Sequence, residues 1–308
     1  MGSSPFRTAQ AIASDTTRWE APTVAAVLCV GLTTVDVVQQ VIEFPVPGQK
    51  MQSLDAHLAP GGPAATAATA VAALGHRAAL LTAVGGDPFG VLAGRGLAER
   101  GVEVHDVAPP DHGPALSMVV VRERDGERTV VSRNAAAFTP PPVDVAPLVA
   151  AAEVVLLDGH LGPTAVAAAR AARERGVPVV LDAGSWKPVL DELLPLVDVA
   201  ACSASFELSE EEVHARGVPL VVRTHGADPV TWSAPTGTGS REVAPVPVRD
   251  TNGAGDVWHG ALAVAVARGD LVRNGVADAV DWANRVAAVR VRNTARTWVE
   301  ELARWADG

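Results

Sequence analysis

The chain of 308 residues has no tyrosine, two cysteines and two lysines, and these scarcities narrow what it can be. Cys29 and Cys202 both lie inside apolar runs, so buried core thiols are expected rather than a disulfide framework or a cysteine metal site. No stretch of about 18 consecutive apolar residues occurs, so no membrane span is expected. Basic residues are outnumbered, with 25 Lys and Arg against 35 Asp and Glu, for a net charge of −10. Such a chain lacks the basic surface that phosphate backbones need, so nucleic acid is not an expected partner. Residues 1–22 are rich in Ser, Thr and Ala without an apolar segment. They read as a loose leader, not a secretory signal, and the protein as cytoplasmic.

What is present is a chain 48% hydrophobic, rich in Ala and Val and punctuated by 28 Gly and 23 Pro. Short apolar runs at 24–30, 154–157, 177–181, 197–201 and 219–222 have the look of strands buried on both faces. Ala-rich stretches at 64–74, 89–100 and 164–175 read as helices, each stopped by a glycine: Gly75, Gly101 and Gly176. This alternation predicts an α/β fold with a mostly parallel sheet flanked by helices. In such sheets ligands bind beyond the carboxyl ends of the strands.

Two segments break the pattern. Residues 115–122 and 127–134 flank Asp125-Gly126, a hairpin turn signal. Residues 35–44 and 51–58, joined through Pro45-Val46-Pro47-Gly48, form a second pair of alternating segments. Together they predict a small β-sheet lid, with segments 36–59 and 113–134, inserted in a single domain spanning 23–308. A lid that excludes water suits group transfer to an alcohol.

The segment with the most chemistry in it is Asp250-Thr251-Asn252-Gly253-Ala254-Gly255-Asp256. It reads as a small-residue turn entering a helix, whose first amides lack intrahelical partners and attract anions. Asp256 sits where its charge would repel a bound phosphate. Either it takes a proton from an attacking hydroxyl, or it favours the helix N-terminus through the macrodipole.

Five motifs in order resemble the ribokinase/PfkB family of carbohydrate kinases. They are Gly31-Leu32-Thr33-Thr34-Val35-Asp36, Gly61-Gly62-Pro63-Ala64-Ala65-Thr66, Gly85-Gly86-Asp87-Pro88-Phe89-Gly90, Thr224-His225-Gly226 and Gly253-Ala254-Gly255-Asp256. The likeness spans about 24–291. It implies a ribokinase-like fold and ATP-dependent phosphorylation of a sugar hydroxyl, with Mg²⁺ carried on the nucleotide and held mainly by water. By this resemblance Asp256 is the general base, and the amides of Gly253, Ala254 and Gly255 hold the phosphoryl group. Asp36, Gly61, Gly62 and Thr66 face the sugar, and Thr224, Gly226, Thr251, Asn252 and Asn284 serve the nucleotide. Lid strands left exposed would pair with a second copy, giving a homodimer.

The wording around Gly61-Gly62 and Val257-Trp258-His259-Gly260 is similar to the sulfofructose kinase branch. Lys50, one of only two lysines beside Lys187, stands in the lid where a cation would meet an anionic ketose end. Ser132 and His160 stand where that branch has Asn and Arg, so a neutral ketose is the alternative; His160 replaces the Arg fork only when protonated, with Arg133 nearby. The nucleotide side also departs. Ser203-Ala204-Ser205-Phe206 replaces Asn-x-x-Glu, with Glu207 displaced by one position, about 100° on a helix. Pro229 removes an amide from the Thr224 turn. Two rivals therefore stand beside the sugar kinase. One is a nucleoside kinase, against which the lack of tyrosine counts; the other is a sugar-binding sensor with a degraded ATP site.

Overall fold

The computed structural model describes residues 24–133 and 138–308; the leader 1–22 and Asn134 lie outside the described residues. In chain order the strands are β1 (Ala26–Val30), β2 (Thr34–Val41), β3 (Asp55–Gly61), β4 (Arg77–Thr82), β5 (Val102–Asp106), β6 (Ala115–Arg122) and β7 (Arg128–Arg133). They continue with β8 (Val154–Leu157), β9 (Val179–Ala183), β10 (Val199–Cys202), β11 (Leu220–His225), β12 (Asp228–Ala234) and β13 (Gly237–Arg241). The large sheet has the order β13-β12-β11-β10-β9-β8-β1-β4-β5. From β5 to β11 neighbouring strands are parallel, and β12 and β13 finish one edge antiparallel. This is the α/β architecture the alternating pattern predicts.

The continuous apolar runs are strands because helices cover both faces. Alternate side chains point to opposite sides: Val27, Cys29, Leu156, Val180 and Val199 enter one core, while Leu28, Val30, Val155, Leu157 and Leu181 enter the other. β9 and β10 each begin two residues later than their apolar runs, for the same reason. The amide of Val177 closes the preceding helix on Ala172 O at 2.9 Å, and that of Val197 closes a turn on Leu194 O at 3.1 Å. The helices Pro63–Ala73, Pro88–Glu99 and Pro163–Arg175 each begin at a proline, one residue before the Ala-rich pattern, because its fixed φ suits a first turn. Both cysteines are free and buried, and burial pushes both thiols up, Cys202 to about 12. They are core residues. No helix among the described residues is long and apolar enough to cross a membrane.

Helix Pro63–Ala73 packs on helix Ala254–Ala267 through alanine and glycine. A β-carbon on Gly260 would lie 2.6 Å from Ala67 O, so the two backbones touch. That contact sets the distance between the two helix N-termini, which carry Thr66 and Gly253.

The small sheet has the order β3-β2-β6-β7, with β2 parallel to β6 and the outer pairs antiparallel. β2 stops at Val41, three residues short of the alternating segment, as the chain approaches Pro45 and Pro47. β3 runs from Asp55 through Pro60 to Gly61, later than the 51–58 pattern, because it stays paired with β2 until Gly61 meets Thr34. It thereby delivers the chain directly into the helix at Pro63. The register lines up rows across the sheet. One inner row is Asp36, Ser117 and Ser132, and the next is Val38, Val119 and Val130. On the outer face Leu58, Val37, Met118 and Val131 form an apolar row.

Candidate active site

The inner rows of the small sheet and the start of helix Ala254–Ala267 enclose a cavity of about 280 Å³. Asp36, Ser117, Val119, Val130 and Ser132 line it from the small sheet. Gly62 and Thr66 line it from the entry to helix Pro63–Ala73, His160 from the loop after β8, and Asn252, Gly253 and Asp256 from the opposite turn. Seven residues assigned to the sugar or to the chemistry, namely Asp36, Gly62, Thr66, Ser132, His160, Gly253 and Asp256, thus meet in one cavity. No lysine or arginine lines it among the described residues.

Asp36 is held in the polar row. Thr34 Oγ1 donates to its Oδ1 at 2.6 Å, and Asn252 and Ser117 also donate to it. Burial raises its pKa against those hydrogen bonds. Ser117 and Ser132 share a hydrogen bond at 3.2 Å across the strands. Sugar hydroxyls can add to this row, while the two valines beside it offer an aliphatic surface.

Asp256 lies in the first turn of its helix, after Gly253 at φ +70°. Burial, then the charge of Asp182, pushes its pKa up to about 7; His259 and Arg128 oppose the rise, and Asp158 adds to it. A partly buried carboxylate titrating there is matched to proton abstraction near neutral pH. The turn before it is stapled from three sides. Asn252 N donates to Asp250 Oδ1 at 2.8 Å. Buried Arg290 donates to Asp250 Oδ2 at 2.7 Å, Asp250 O at 3.2 Å and Asn293 O at 3.0 Å. From the small sheet, Arg128 Nη1 donates to Thr251 O and Oγ1 at 3.0 and 3.1 Å, and Thr251 Oγ1 donates to Gly126 O at 3.3 Å. The β6–β7 hairpin therefore rests on the turn that carries Asp256.

Several assigned residues have other surroundings. Gly61 does not open backbone to the cavity: a β-carbon there would lie 2.2 Å from Asp36 Oδ2, so the glycine makes room for that carboxylate. The Ala254 amide turns to Thr251 O at 3.3 Å and is not free for an anion. Gly255 has open space around it, as an anion turn requires. Asn252 lines the cavity and reaches Asp36, instead of lying apart with the nucleotide residues. Lys50 is exposed in the 42–54 connection, past the end of β2, and does not line the cavity.

Thr224 and Gly226 belong to a tight β11–β12 hairpin whose strand continues through Pro229, and they lie outside the cavity. Asn284 accepts from the Trp258 indole at 2.8 Å and links two helices. Glu207 is already engaged, accepting from the Trp186 amide at 2.7 Å.

Sequence reasoning missed five contributors. Asp158, 3% exposed, binds the amides of Leu32 (2.8 Å), Ala64 (3.2 Å) and His160 (2.8 Å), knitting three loops beside the cavity. Asp182 pairs with His259 at 2.9 Å below Asp256. The acids had a signal, a carboxylate at the end of an apolar strand. Ser117, Arg128 and Arg290 had none without register and contacts. One atom each of Asp182, Asp256 and His259 lies within 4.8 Å of the others. That set does not fit Mg²⁺, which prefers oxygen ligands and water, because one of its three donors is an imidazole nitrogen already paired with Asp182.

Residues 24–297 match the pfkB family of carbohydrate kinases. The chain is 32% identical over 240 residues to the ATP-dependent ribose-1-phosphate kinase of Halopiger xanaduensis, covering 74% of this chain and 79% of that protein. It is 27% identical over 278 residues to the ribokinase of Bacillus subtilis, covering 86% and 92%. Arabidopsis thaliana ribokinase, solved with ribose and ATP, superposes with a TM-score of 0.71 at 21% identity over 91% of this chain and 99% of that one, a likeness of fold. The chain belongs to the pfkB family of carbohydrate kinases and is an ATP-dependent sugar kinase.

Proposed function

We propose that the protein transfers the γ-phosphoryl group of ATP to a hydroxyl of an uncharged ketose or related sugar. The observation that carries this reading is that Asp256 shares one cavity with the row Asp36, Ser117 and Ser132, and no lysine or arginine lines it among the described residues. Asp256 takes the hydroxyl proton as the sugar oxygen bonds to the γ-phosphorus; the bond from phosphorus to the bridging oxygen breaks and ADP leaves. The open turn at Gly253 and Gly255 faces the phosphoryl oxygens. Mg²⁺ would arrive with the nucleotide and offset the charge of the transferred group. A cytoplasmic setting, where ATP is supplied, goes with this reading.

Of the two ketose types, the geometry favours the fructose-like one. A terminal sulfonate calls for a charged or bidentate donor, and Lys50 is outside the cavity while His160 is a weak substitute. The aliphatic pair Val119 and Val130 suits the carbon face of a sugar better than it suits a stacked base, which weighs against a nucleoside. ADP release across ketoses, aldoses and nucleosides, with and without a terminal sulfonate or phosphate, tests the assignment. Highest kcat/KM for a neutral sugar supports it; a preference above tenfold for a sulfonated ketose overturns it. Titration with a non-hydrolysable ATP analogue separates an enzyme from a sensor, which would bind sugar and no nucleotide.

The protein is further proposed to dimerise through the small sheet, supported by the apolar outer row Leu58, Met118 and Val131, exposed by 45, 45 and 69%.

A further inference from the structure

His259 follows Asp256 by three residues on helix Ala254–Ala267, so the two side chains share one face. Its Nδ1 lies 2.9 Å from Asp182 Oδ2 at the end of β9, and the two side chains are 5% and 7% exposed. Nε2 makes no hydrogen bond to the described residues, and Nδ1 faces Asp182, which acts on the ring both through its charge and through a hydrogen bond. A neutral imidazole can offer Nδ1–H to Asp182 alone, whereas an imidazolium is attracted by the charges of both Asp182 and Asp256. Asp182 and Asp256 would otherwise face each other across a poorly solvated gap. Asp158 at the end of β8 adds a third negative charge, and Arg128 on β7 is the cation opposing them from the small sheet.

We infer that His259, kept protonated by Asp182, is a positioning residue that holds Asp256 ionised and ready to accept the sugar proton. The inference rests on Asp256 being the base. The direction of the charge effects agrees. Burial alone lowers the His259 pKa, but Asp182, and then Asp256, outweigh it and the net change is upward. Reciprocally, His259 is the leading influence pulling Asp256 down from a position raised by burial and Asp182. Asp182 accordingly plays two parts: it repels the base directly and supplies it with a counter-ion.

The test uses the full chain, with kcat/KM for the best sugar of the panel measured by ADP release from pH 5.5 to 9.5. His259→Asn and His259→Gln remove the charge at similar volume. The acid limb should move up by about one pH unit, giving a roughly tenfold loss below pH 7 that disappears at pH 9. Sugar KM at pH 9 should stay within about twofold. A limb left in place in both variants overturns the proposal. A readout independent of turnover is the ¹⁵N spectrum of the ligand-free protein. Both nitrogens of the His259 ring should be protonated at pH 7, and Asp182→Asn should lower the pH at which the ring titrates. A neutral ring at pH 7 in the unaltered protein overturns the proposal even if the variants lose activity through misfolding. Asp256→Asn separates the two levels. If that variant turns over normally, the base assignment fails and the role of His259 fails with it. If it is inactive while the His259 variants keep the original limb, only the role of His259 fails.

Discussion

The proposed sugar end of the cleft and the residues assigned to the nucleotide are built differently. At the sugar end, residues from both sheets and from loops far apart in the chain converge on about 280 Å³, each held by a partner: Asp36 by Thr34, Ser117 and Asn252, and the base turn by Arg290 and Arg128. At the other end, Thr224 and Gly226 form an ordinary hairpin and Glu207 is occupied by the Trp186 amide. The Arg223 guanidinium fills the gap by donating to Ser203 O, Phe206 O and Leu208 O. Specific positioning is concentrated around Asp256 and Asp36, the proposed base and sugar contact. On the proposed reading the nucleotide is left mainly to the open turn at Gly253 and Gly255, an economy open to a site whose second substrate brings its own charge.

The largest expected effect is at the base. Asp256→Asn should lower kcat by about 10²–10⁴-fold with sugar affinity, read by calorimetry, nearly unchanged. In the unaltered enzyme kcat/KM should fall tenfold per unit as pH drops below about 7, because the base must be deprotonated. The stability effect has the opposite sign. The folded state binds this proton more tightly than the unfolded chain does, so stability is lost as pH rises through the raised value. Asp256→Asn should therefore unfold at a higher temperature than the parent at pH 8. Equal unfolding temperatures would break the picture of a carboxylate held in an unfavourable place for the sake of its chemistry.

Next comes Asp36→Ala, which removes the charged member of the polar row. Hydrogen bonds to a charged group contribute about 1.5–3 kcal/mol, so kcat/KM should fall roughly 10–200-fold, mostly through sugar KM. A fall confined to kcat would move Asp36 from recognition to chemistry. The nucleotide end should answer weakly. Thr224→Ala and Glu207→Ala should each change KM for ATP by less than about threefold, and a loss of a hundredfold in either would erase the contrast between the two ends.

What the sequence made legible follows the same division. Continuous apolar strands, proline-started helices and the Gly253–Asp256 turn are local patterns, readable because each is dictated within a dozen residues. Asp256 was legible as a carboxylate beside a glycine turn, Asp36 only through the family resemblance of Gly31-Leu32-Thr33-Thr34-Val35-Asp36. The purpose of Gly61 was not, because the carboxylate that fills its missing β-carbon arrives from β2, 25 residues earlier in the numbering. Ser117 becomes a site residue only through the register that sets it opposite both Asp36 and Ser132. His259 resembles any core residue of an Ala-rich helix until β9 brings Asp182 beneath it. Lys50 shows the converse, a rare residue whose scarcity suggested a task and which does not line the cavity.

The smallest effect on turnover should come from the outer face of the small sheet. Asp36, Ser117 and Ser132 look inward, so the same strands must send Val37, Met118 and Val131 outward. That outer row includes side chains 45 and 69% exposed at Met118 and Val131, on a four-stranded sheet too small to bury both of its faces. A second copy laid against the row would cover it, while the inward row, one pleat away, would keep its geometry. Val131→Arg places a charge at the most exposed of these positions. It should convert a dimer to a monomer in sedimentation equilibrium, while kcat changes by less than about threefold. A parent protein that already sediments as a monomer removes the dimer. A dimer lost together with most of the activity would instead mean that the two faces of the sheet are coupled, and that the sugar row depends on a neighbouring copy to hold it flat.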